Sequence, residues 1–445
     1  MSLWLVGNMS DTHQIIIVGG GAGGLELATK LGNCLGKSAK ADITLIDKSR
    51  THIWKPLLHE VAAGTLDSSE DELEYLAQAR WHHFRYRLGR MCGLDRDKQE
   101  VLLAPTYNSS GEMIIRERRF RYDSLIIAVG SISNDFGITG VKEHCLFLDS
   151  TEQAERFQQK MLNSMLQAHT CDKPIASGQL DVVIIGAGAT GVELAAQLHH
   201  VTRQLSAYGL DTINPSEHIH IHIIEAGPRI LPVLPEKISN AALAELAKLD
   251  VTVHVNERVI EVTEQGVMTS SGQFIAASFK VWAAGIKAPE FVKELEGLET
   301  NSINQLVVQK NLQTSNDEKI FAFGDCAACP MDDSGERFVP PRAQSAHQQA
   351  SLLVKNLKRR LHNKPLLDYQ YHDYGSLIAM GRYSTVGSLM GNLSGSYFVS
   401  GYIARFVYLS LYKMHQAALY GWPRAILISL LHFLRKGIDP QVKLH

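Results

Sequence analysis

Two stretches of the sequence decide the predicted fold: residues 15–28, IIIVGGGAGGLELA, and residues 181–195, DVVIIGAGATGVELA. Each combines a short β-branched run, a G-x-G-x-x-G loop and a helix-forming segment, the pattern of a strand–loop–helix unit that binds a dinucleotide. We name residues 19–24 the first glycine loop and residues 186–191 the second glycine loop. In such a loop one glycine permits a tight turn, one lets a pyrophosphate approach the backbone, and one allows close helix–strand packing. The sequence therefore predicts an α/β protein with two Rossmann-like domains.

An acidic residue closes the strand that follows each loop. Asp47 ends the run 43–46, and Glu225 ends the run 220–224. A carboxylate at this place can accept a hydrogen bond from a ribose 2′-hydroxyl. Glu225 also favours NADH over NADPH, because a carboxylate repels a 2′-phosphate. Arg229, four residues on, either offsets that repulsion or is a surface cation. Two dinucleotide sites in one chain indicate electron transfer between two carriers.

Further motifs resemble those of two-dinucleotide flavoproteins. They are the turn Ala128–Ser131, the segment Trp282–Pro289 and the late strand with its glycine–aspartate end, Ile320–Asp325. Two more specific segments are HIWKPLLHEV at residues 52–61 and PPRAQSAHQ at residues 340–348. They resemble type II NADH dehydrogenases, the single-chain NADH:quinone oxidoreductases of bacterial respiration. The resemblance extends from about residue 14 to residue 445.

The resemblance implies that FAD binds non-covalently to the first domain and NADH to the second. Hydride would pass to the flavin, and two electrons would pass to a membrane quinone, ubiquinone or menaquinone, without proton pumping. The residues implied for FAD are Gly19, Gly21, Ala22, Gly23, Gly24, Asp47, Lys55, Ala128, Gly130, Gly324 and Asp325. Those implied for NADH are Gly186, Gly188, Gly191, Glu225, Ala284 and Gly285. Chain order predicts a discontinuous FAD domain, because Gly324-Asp325 follows the NADH domain.

Four residues are candidates for catalysis. Gln344, His347 and Gln348 follow two prolines, and on a helix they lie within one turn of each other. They could hydrogen-bond the quinone carbonyls, or they could be solvated residues of an amphipathic helix. Glu193 follows the second glycine loop, where the resemblance implies proton supply to the quinone. The alternative is an acid stabilised by the dipole of the first helical turn. For Glu26, after the first loop, we prefer a structural role.

The pair Cys326 and Cys329 raises a competing function, a flavin-dependent disulfide reductase. A pair directly after Gly324-Asp325 would lie beside the ribityl chain, which is poorly placed to accept electrons from the flavin ring. Two thiols with only His347 downstream also fall short of a zinc pattern, so no metal site is predicted; the softness of the two thiols leaves a weak copper(I) site as an alternative. We expect two small buried residues at the start of a helix. A membrane-bound NADH-sensing flavoprotein is the second competing function.

Composition narrows the remaining classes. The chain has 445 residues, of which 45% are hydrophobic and 20% charged, as in ordinary globular proteins. A formal net charge of −2 gives no reason to expect a nucleic-acid partner. Six cysteines are too sparse for a disulfide scaffold and fit a reducing compartment. No signal peptide is predicted before or after Met9, which is an alternative start to Met1.

The C-terminal part is predicted to attach to a membrane. Residues 401–445 carry six basic and one acidic side chain, which suits an anionic surface. An apolar stripe (Ile403, Val407, Leu411, Met414, Ala418) precedes a second apolar segment, 425–434, too short to span a bilayer. We expect a peripheral protein on the cytoplasmic face of the inner membrane. A dimer interface or a core helix is the alternative for this segment, and a homodimer is one assembly left open.

The predicted segments follow from these motifs. Residues 10–150 form the first part of the FAD domain, and residues 151–290 form the NADH domain. Residues 291–370 complete the FAD domain and carry the quinone-site segment. Residues 371–445 form the membrane-anchoring part, in which residues 375–377 and 386–391 are predicted strands.

Overall fold

A computed structural model of the chain describes residues 12–108, 110–380, 385–390, 396–400 and 413–435. The described residues form two compact units, each made of separate stretches of chain. The first unit contains the described residues up to His52, Leu73–Ser131 and Lys287–Tyr371. The second contains Ile53–Glu72, Ile132–Ile286 and the described residues from His372 onward. The segment limits predicted from the sequence stay a prediction.

A six-stranded sheet forms the centre of the first unit. Its strand order is Gln313–Thr314, Asp317–Ala322, Ser124–Ile127, His13–Val18, Ala41–Asp47 and Arg85–Leu88. All neighbours are parallel except the first pair. The run before the first glycine loop is apolar on both faces because this strand is central; Ile15 and Ile17 are 0% exposed. The strand Asp317–Ala322 joins this sheet late in the chain, which confirms the predicted discontinuity.

Helices and smaller strands complete the first unit. Its helices are Ala22–Leu31, Tyr75–Trp81 and Ala343–Arg360, with a π-helical turn at Gly32–Gly36 and 3₁₀ turns at Glu290–Glu294 and Gly324–Cys326. An antiparallel sheet contains Met91–Asp95, Glu100–Leu103 and Arg118–Arg121. Short strand pairs are Thr51–His52 with Leu73–Glu74, Thr106–Tyr107 with Met113–Ile115, and Leu306–Val307 with Ala327–Ala328. The helix Ala22–Leu31 packs against Ala343–Arg360, which brings the first glycine loop's helix to the predicted quinone segment.

The second unit repeats the same design around a five-stranded parallel sheet. The order is Leu146–Phe147, Phe279–Trp282, Val182–Ile185, Ile221–Ile224 and Val251–His254. An antiparallel sheet contains Val259–Val262, Gly266–Thr269 and Phe274–Ala276. Two further short strands are Ile132–Ser133 and, at the junction of the units in sequence, Ile286–Lys287. Two Rossmann-like sheets in one chain confirm the predicted fold class.

The helices of the second unit include the one that carries Glu193. They are Leu58–Ala63, Ser68–Asp71, Val141–His144, Thr151–Thr170, Ala189–Ala207, Pro215–His218, Glu236–Lys248, residues 413–420 and Trp422–Arg435, with a 3₁₀ turn at Lys55–Leu57. The helix Leu58–Ala63 packs on Thr151–Thr170 and on Ala189–Ala207. Its apolar residues join the buried core of this unit around Leu194 and Phe279.

The C-terminal part begins with an antiparallel sheet. Its strands are Gly375–Ala379, Thr385–Met390 and Ser396–Ser400, so the two predicted strands are confirmed and a third was missed. Of the predicted apolar stripe, Ile403, Val407 and Leu411 lie outside the described residues, whereas Met414 and Ala418 lie on the helix 413–420. Of the helices that the structure describes, none has the length and apolarity needed to cross a membrane.

Candidate functional site

The first glycine loop is shaped by contacts that only glycine permits. Gly19 has a φ of +103°, and a Cβ atom there would lie 2.3 Å from the carbonyl oxygen of Ala128. A Cβ atom at Gly24 would lie 1.9 Å from the carbonyl oxygen of Gly19. At Gly21, by contrast, a Cβ atom would meet nothing within 4 Å. The turn and the helix are therefore packed tightly, while the middle of the loop has room for a pyrophosphate beside the backbone.

The second glycine loop has the same three properties. Gly186 has a φ of +106°, and its Cβ atom would lie 2.7 Å from the backbone of Ala283. A Cβ atom at Gly191 would lie 2.1 Å from the carbonyl oxygen of Gly186, whereas nothing lies within 4 Å of one at Gly188. Both loops precede a helix whose first N–H groups can bind phosphate, so both fit a dinucleotide.

The acid after each loop binds the loop's own backbone. Asp47 accepts hydrogen bonds from the N–H of Gly20, at 2.6 Å, and of Ser49, at 2.8 Å. Glu225 accepts from the N–H of Ala187, at 2.9 Å, and of Gly227, at 2.8 Å. Each carboxylate oxygen has a further lone pair, so the predicted contact with a ribose hydroxyl stays compatible with these bonds.

Arg229 is held on its own loop. Its guanidinium donates to the carbonyl oxygens of Leu234, at 2.8 Å, and Pro232, at 2.7 Å. The guanidinium of Arg229 therefore hydrogen-bonds backbone oxygens and is not directed at the carboxylate of Glu225. This geometry favours the interpretation in which Glu225 alone sets the preference between NADH and NADPH.

Tyr75 supports the first glycine loop and was missed by the sequence analysis. Its hydroxyl donates to the carbonyl oxygen of Gly20 at 2.8 Å, and its ring is 2% exposed. The ring stacks on Tyr86 at a centroid distance of 5.1 Å. No motif marks Tyr75, because its role depends on a short helix that returns to the sheet through tertiary packing.

Four other residues expected at FAD lie in the first unit: Ala128, Gly130, Gly324 and Asp325. Asp325 accepts a hydrogen bond from the hydroxyl of Ser131 at 2.8 Å, and Gly324 donates its N–H to Gln349 at 2.8 Å. Gly130 has a φ of +70° and open space around its Cβ position. Ala128 donates its N–H to Val18 at 2.7 Å, next to the loop. The bond to Ser131 ties Asp325 to the turn Ala128–Ser131, which follows the central strand Ser124–Ile127.

Three expected residues belong to the second unit. Lys55 is half-exposed, with its Nζ 3.6 Å from a carboxylate oxygen of Asp149. Gly285, with a φ of +64°, lies against the ring of Phe136, and Ala284 accepts a hydrogen bond from the indole of Trp282 at 2.9 Å. The roles of Lys55, Ala284 and Gly285 at a cofactor stay predictions.

The predicted quinone residues begin the helix Ala343–Arg360. Gln344 donates to the hydroxyl of Tyr371 at 3.2 Å, and Gln348 accepts from the hydroxyl of Tyr369 at 3.2 Å. His347 hydrogen-bonds the carboxylate of Glu26. Each of the three residues is half-buried and hydrogen-bonded within the fold. The quinone role stays a prediction.

Glu26 is a buried ion-pair partner. It is 3% exposed and lies 2.5 Å from the Nζ of Lys30 in addition to its contact with His347. Burial raises the pKa of Glu26, but the hydrogen bonds and charges of His347 and Lys30 outweigh burial and leave that pKa below its ordinary value. This geometry favours the structural role for Glu26, whose carboxylate orients the imidazole of His347.

Glu193 does not lie where the dipole of the first helical turn would stabilise it. The helix begins at Ala189, so Glu193 lies beyond the first turn. Its side chain is buried and accepts the N–H of Ala379 at 2.9 Å. The imidazole Nδ1 of His59 lies 3.7 Å from its other oxygen. Burial raises the pKa of Glu193 to about 8, the charge of Glu60 adds to this effect, and the Ala379 bond opposes it. This carboxyl therefore holds a proton near neutral pH.

The two cysteines are buried, as expected, but they do not begin a helix. Cys326 ends a 3₁₀ turn, and Cys329 follows the short strand Ala327–Ala328; the helix starts only at Ala343. Both thiols are free and 0% exposed. Burial raises the pKa of each thiol to about 12, so neither forms the thiolate that disulfide exchange requires. Within the described ranges, no group of three candidate ligands could hold a metal ion.

The two glycine loops and their parallel sheets define an oxidoreductase with two dinucleotide-binding domains. Residues 13–350 match the family model described as pyridine nucleotide-disulphide oxidoreductase. A Haemophilus influenzae protein named type II NADH:quinone oxidoreductase is 43% identical over 97% of this chain and 100% of that protein. The chain therefore belongs to the type II NADH:quinone oxidoreductase family, and the predicted resemblance is confirmed.

More distant proteins are also similar to this chain. A Staphylococcus aureus protein of the same name is 27% identical over 86% of this chain and 90% of that protein. The solved structure of NDH2 from Plasmodium falciparum in complex with NADH has a TM-score of 0.81 at 20% identity, covering 97% of this chain and 100% of that chain. The sulfide:quinone oxidoreductase from Aquifex aeolicus has a TM-score of 0.71 at 18% identity, covering 92% of each chain. At these identities the two structures show a shared fold.

Proposed function

We propose that this protein is a respiratory enzyme that oxidises NADH and reduces a membrane quinone, with non-covalent FAD between them. When bound, FAD supplies a carrier that accepts hydride and releases two electrons. The observation that carries the proposal is the pair of glycine loops, each tight at its ends and open at its middle glycine, in a chain 43% identical to a named NADH:quinone oxidoreductase. The reaction is proposed to move no proton across the membrane.

Each loop's residues bind and orient one dinucleotide. The N–H groups at the start of the helices Ala22–Leu31 and Ala189–Ala207 bind the pyrophosphates. The carboxylates of Asp47 and Glu225 accept hydrogen bonds from ribose hydroxyls. The negative charge of Glu225 disfavours a 2′-phosphate, so NADH is the proposed donor rather than NADPH. Asp325, fixed by Ser131, borders the FAD side of the first loop.

The quinone is proposed to bind at the start of the helix Ala343–Arg360. Gln344 and Gln348 are positioned by tyrosine hydroxyls, and His347 by Glu26. Amide and imidazole groups held in this way can hydrogen-bond quinone carbonyls, ubiquinone and menaquinone alike. Glu193 is proposed to supply a proton to the reduced quinone.

Attachment to the membrane is proposed through the helix Trp422–Arg435. Six apolar side chains on it are 52–63% exposed: Trp422, Ile426, Leu427, Leu430, Leu431 and Leu434. Their exposure argues against a helix packed in this chain's own core. Fourteen residues extend about 21 Å, short of the roughly 30 Å hydrocarbon layer, so the helix would lie in the interface. The basic end of the chain suits the anionic cytoplasmic face of the inner membrane.

The activity is tested by oxidation of NADH with a soluble quinone, repeated with NADPH and after cysteine alkylation. Fast quinone-dependent oxidation of NADH, slower with NADPH and insensitive to alkylation, is expected. Loss of activity on alkylation would contradict the assignment in favour of disulfide chemistry. A lack of response to quinone would favour an NADH sensor instead.

The membrane proposal is tested by flotation with vesicles of anionic lipids. Leu430→Glu is expected to release the protein from the vesicles, because the charge enters the exposed apolar face. Leu243→Glu, at a 42% exposed leucine on the helix Glu236–Lys248, is the matched control and should float like the unmodified protein. Equal flotation of both variants would refute the anchor. Sedimentation in detergent distinguishes a monomer from a homodimer.

A further inference from the structure

A buried histidine next to Glu193 has no role in the function proposed so far. His59 lies on the helix Leu58–Ala63, between Thr151–Thr170 and Ala189–Ala207, and only 2% of its surface is exposed. Its Nε2 atom is buried and makes no hydrogen bond within the part of the chain that the structure describes. A buried polar atom without a partner is costly, so an apolar side chain would serve packing better at this position.

The two imidazole nitrogens of His59 lie towards two different carboxylates. Nδ1 is 3.7 Å from a carboxylate oxygen of Glu193, and Nε2 is 4.0 Å from one of Glu60. The side-chain exposures are 8% for Glu193, 1% for His59 and 22% for Glu60. The three groups therefore form a row from a buried carboxyl to one that water reaches. We name them the 60–59–193 row.

We propose that the 60–59–193 row relays protons from water to Glu193 during quinone reduction, with His59 passing the proton between the two carboxyl groups. This inference rests on the proposed function and extends it. The net reaction is NADH + H⁺ + quinone → NAD⁺ + quinol. NADH supplies two electrons and one proton as hydride, so one further proton comes from water. Glu193 gives its proton to the reduced quinone. As His59 takes a proton at Nε2 from the Glu60 side, it passes the proton on Nδ1 to Glu193, so the imidazole stays neutral overall.

The protonation states fit this direction of transfer. Burial lowers the pKa of His59 to about 4, and a hydrogen bond to the backbone of Pro56 opposes this effect only in part. The imidazole is therefore neutral and can donate at one nitrogen and accept at the other. Glu193, with its raised pKa, starts protonated. The groups acting on Glu193 are His59, Glu60 and the N–H of Ala379 from the strand Gly375–Ala379. Closing each gap to a hydrogen bond needs a movement of about 1 Å, as is common before substrate binds.

The experiment uses the full chain with FAD and compares two half-reactions. His59→Gln keeps a polar side chain of similar reach but cannot pass a proton between two nitrogens. Rapid mixing with NADH alone should give flavin reduction within 2-fold of the unmodified protein, which also shows that the variant is folded. Turnover with quinone should fall about 10-fold or more at pH 8 and less at pH 6, with a larger solvent deuterium isotope effect. His199→Gln, on the helix of Glu193, is the control and should behave like the unmodified protein.

A second readout is independent of turnover. The infrared carbonyl band of a protonated carboxyl, identified by its loss in Glu193→Gln, should titrate at a different pH in His59→Gln. Glu60→Gln tests the outer end without altering the core and should slow quinone turnover several-fold. If His59→Gln fails to bind FAD, unchanged turnover and isotope effect in Glu60→Gln would overturn the relay. The relay would also be overturned if His59→Gln kept the quinone turnover and the pH profile of the unmodified protein. If the unmodified protein did not reduce quinone at all, the proposed function itself would be overturned.

Discussion

Because Glu193 is protonated in the folded chain, the free energy of unfolding depends on pH between the pKa values of its unfolded and folded states. Folding raises the pKa of this carboxyl from 4.5 to about 8, so between these values the folded chain keeps a proton that the unfolded chain has released. Stability therefore falls as the pH rises through this range. His59 acts in the opposite direction, because its pKa is lowered from 6.5 to about 4 and stability rises with pH between those values. Above pH 6.5 only the Glu193 effect remains.

The expected size follows from the width of that window. From pH 6.5 to pH 8, a proton held only in the folded state costs about 2 kcal/mol of unfolding free energy, at roughly 1.4 kcal/mol per pH unit. Glu193→Gln keeps an acceptor for Ala379 and removes the titration. The unmodified protein should therefore lose about 4 °C of melting temperature relative to this variant across the window, taking about 2 °C per kcal/mol for a unit of about 250 residues, the size of the second unit.

Scanning calorimetry at several pH values measures this difference, because all other titrating groups are shared by the two proteins. Glu217→Gln, at an exposed acid of the same unit, is the control and should run parallel to the unmodified protein. If Glu193→Gln also runs parallel to it between pH 6.5 and pH 8, the carboxyl is not protonated by burial and the proton-supply reasoning is wrong.

Three further predictions concern the nucleotide sites and the cysteines. Gly191→Val should abolish NADH binding while leaving FAD bound, because its Cβ would lie 2.1 Å from the oxygen of Gly186; loss of flavin absorbance on purification would argue against separate sites. Glu225→Gln should raise kcat/KM for NADPH relative to NADH about 10-fold, since the charge that repels a 2′-phosphate is removed; an unchanged ratio in steady-state kinetics would assign the preference elsewhere. Replacing Cys326 and Cys329 by Ala should leave quinone turnover within about 2-fold and lower stability by about 1–3 kcal/mol through lost packing, and a collapse of turnover with FAD still bound would revive disulfide chemistry.

The sequence was sufficient for the architecture because its signals are local. A β-branched run, a glycine loop and a helix-forming stretch lie within fourteen or fifteen residues of each other at positions 15–28 and 181–195. The steric demands on Gly19 and Gly24 are set by the backbone itself, so the motif alone predicts a tight loop with an open middle. The order of motifs likewise predicted that the strand Asp317–Ala322 returns to the first sheet.

The state of the polar side chains was decided only by tertiary structure. Glu193 is an ordinary helical acid in the sequence, yet the strand Gly375–Ala379 and the helix Leu58–Ala63 bury it and raise its pKa. His347 pairs with Glu26, 321 residues away in sequence. Desolvation and hydrogen bonding depend on which distant elements pack around a group, and no spacing pattern records that. Sequence patterns determine which backbone carries the chemistry, whereas packing determines which of its acids and bases hold a proton.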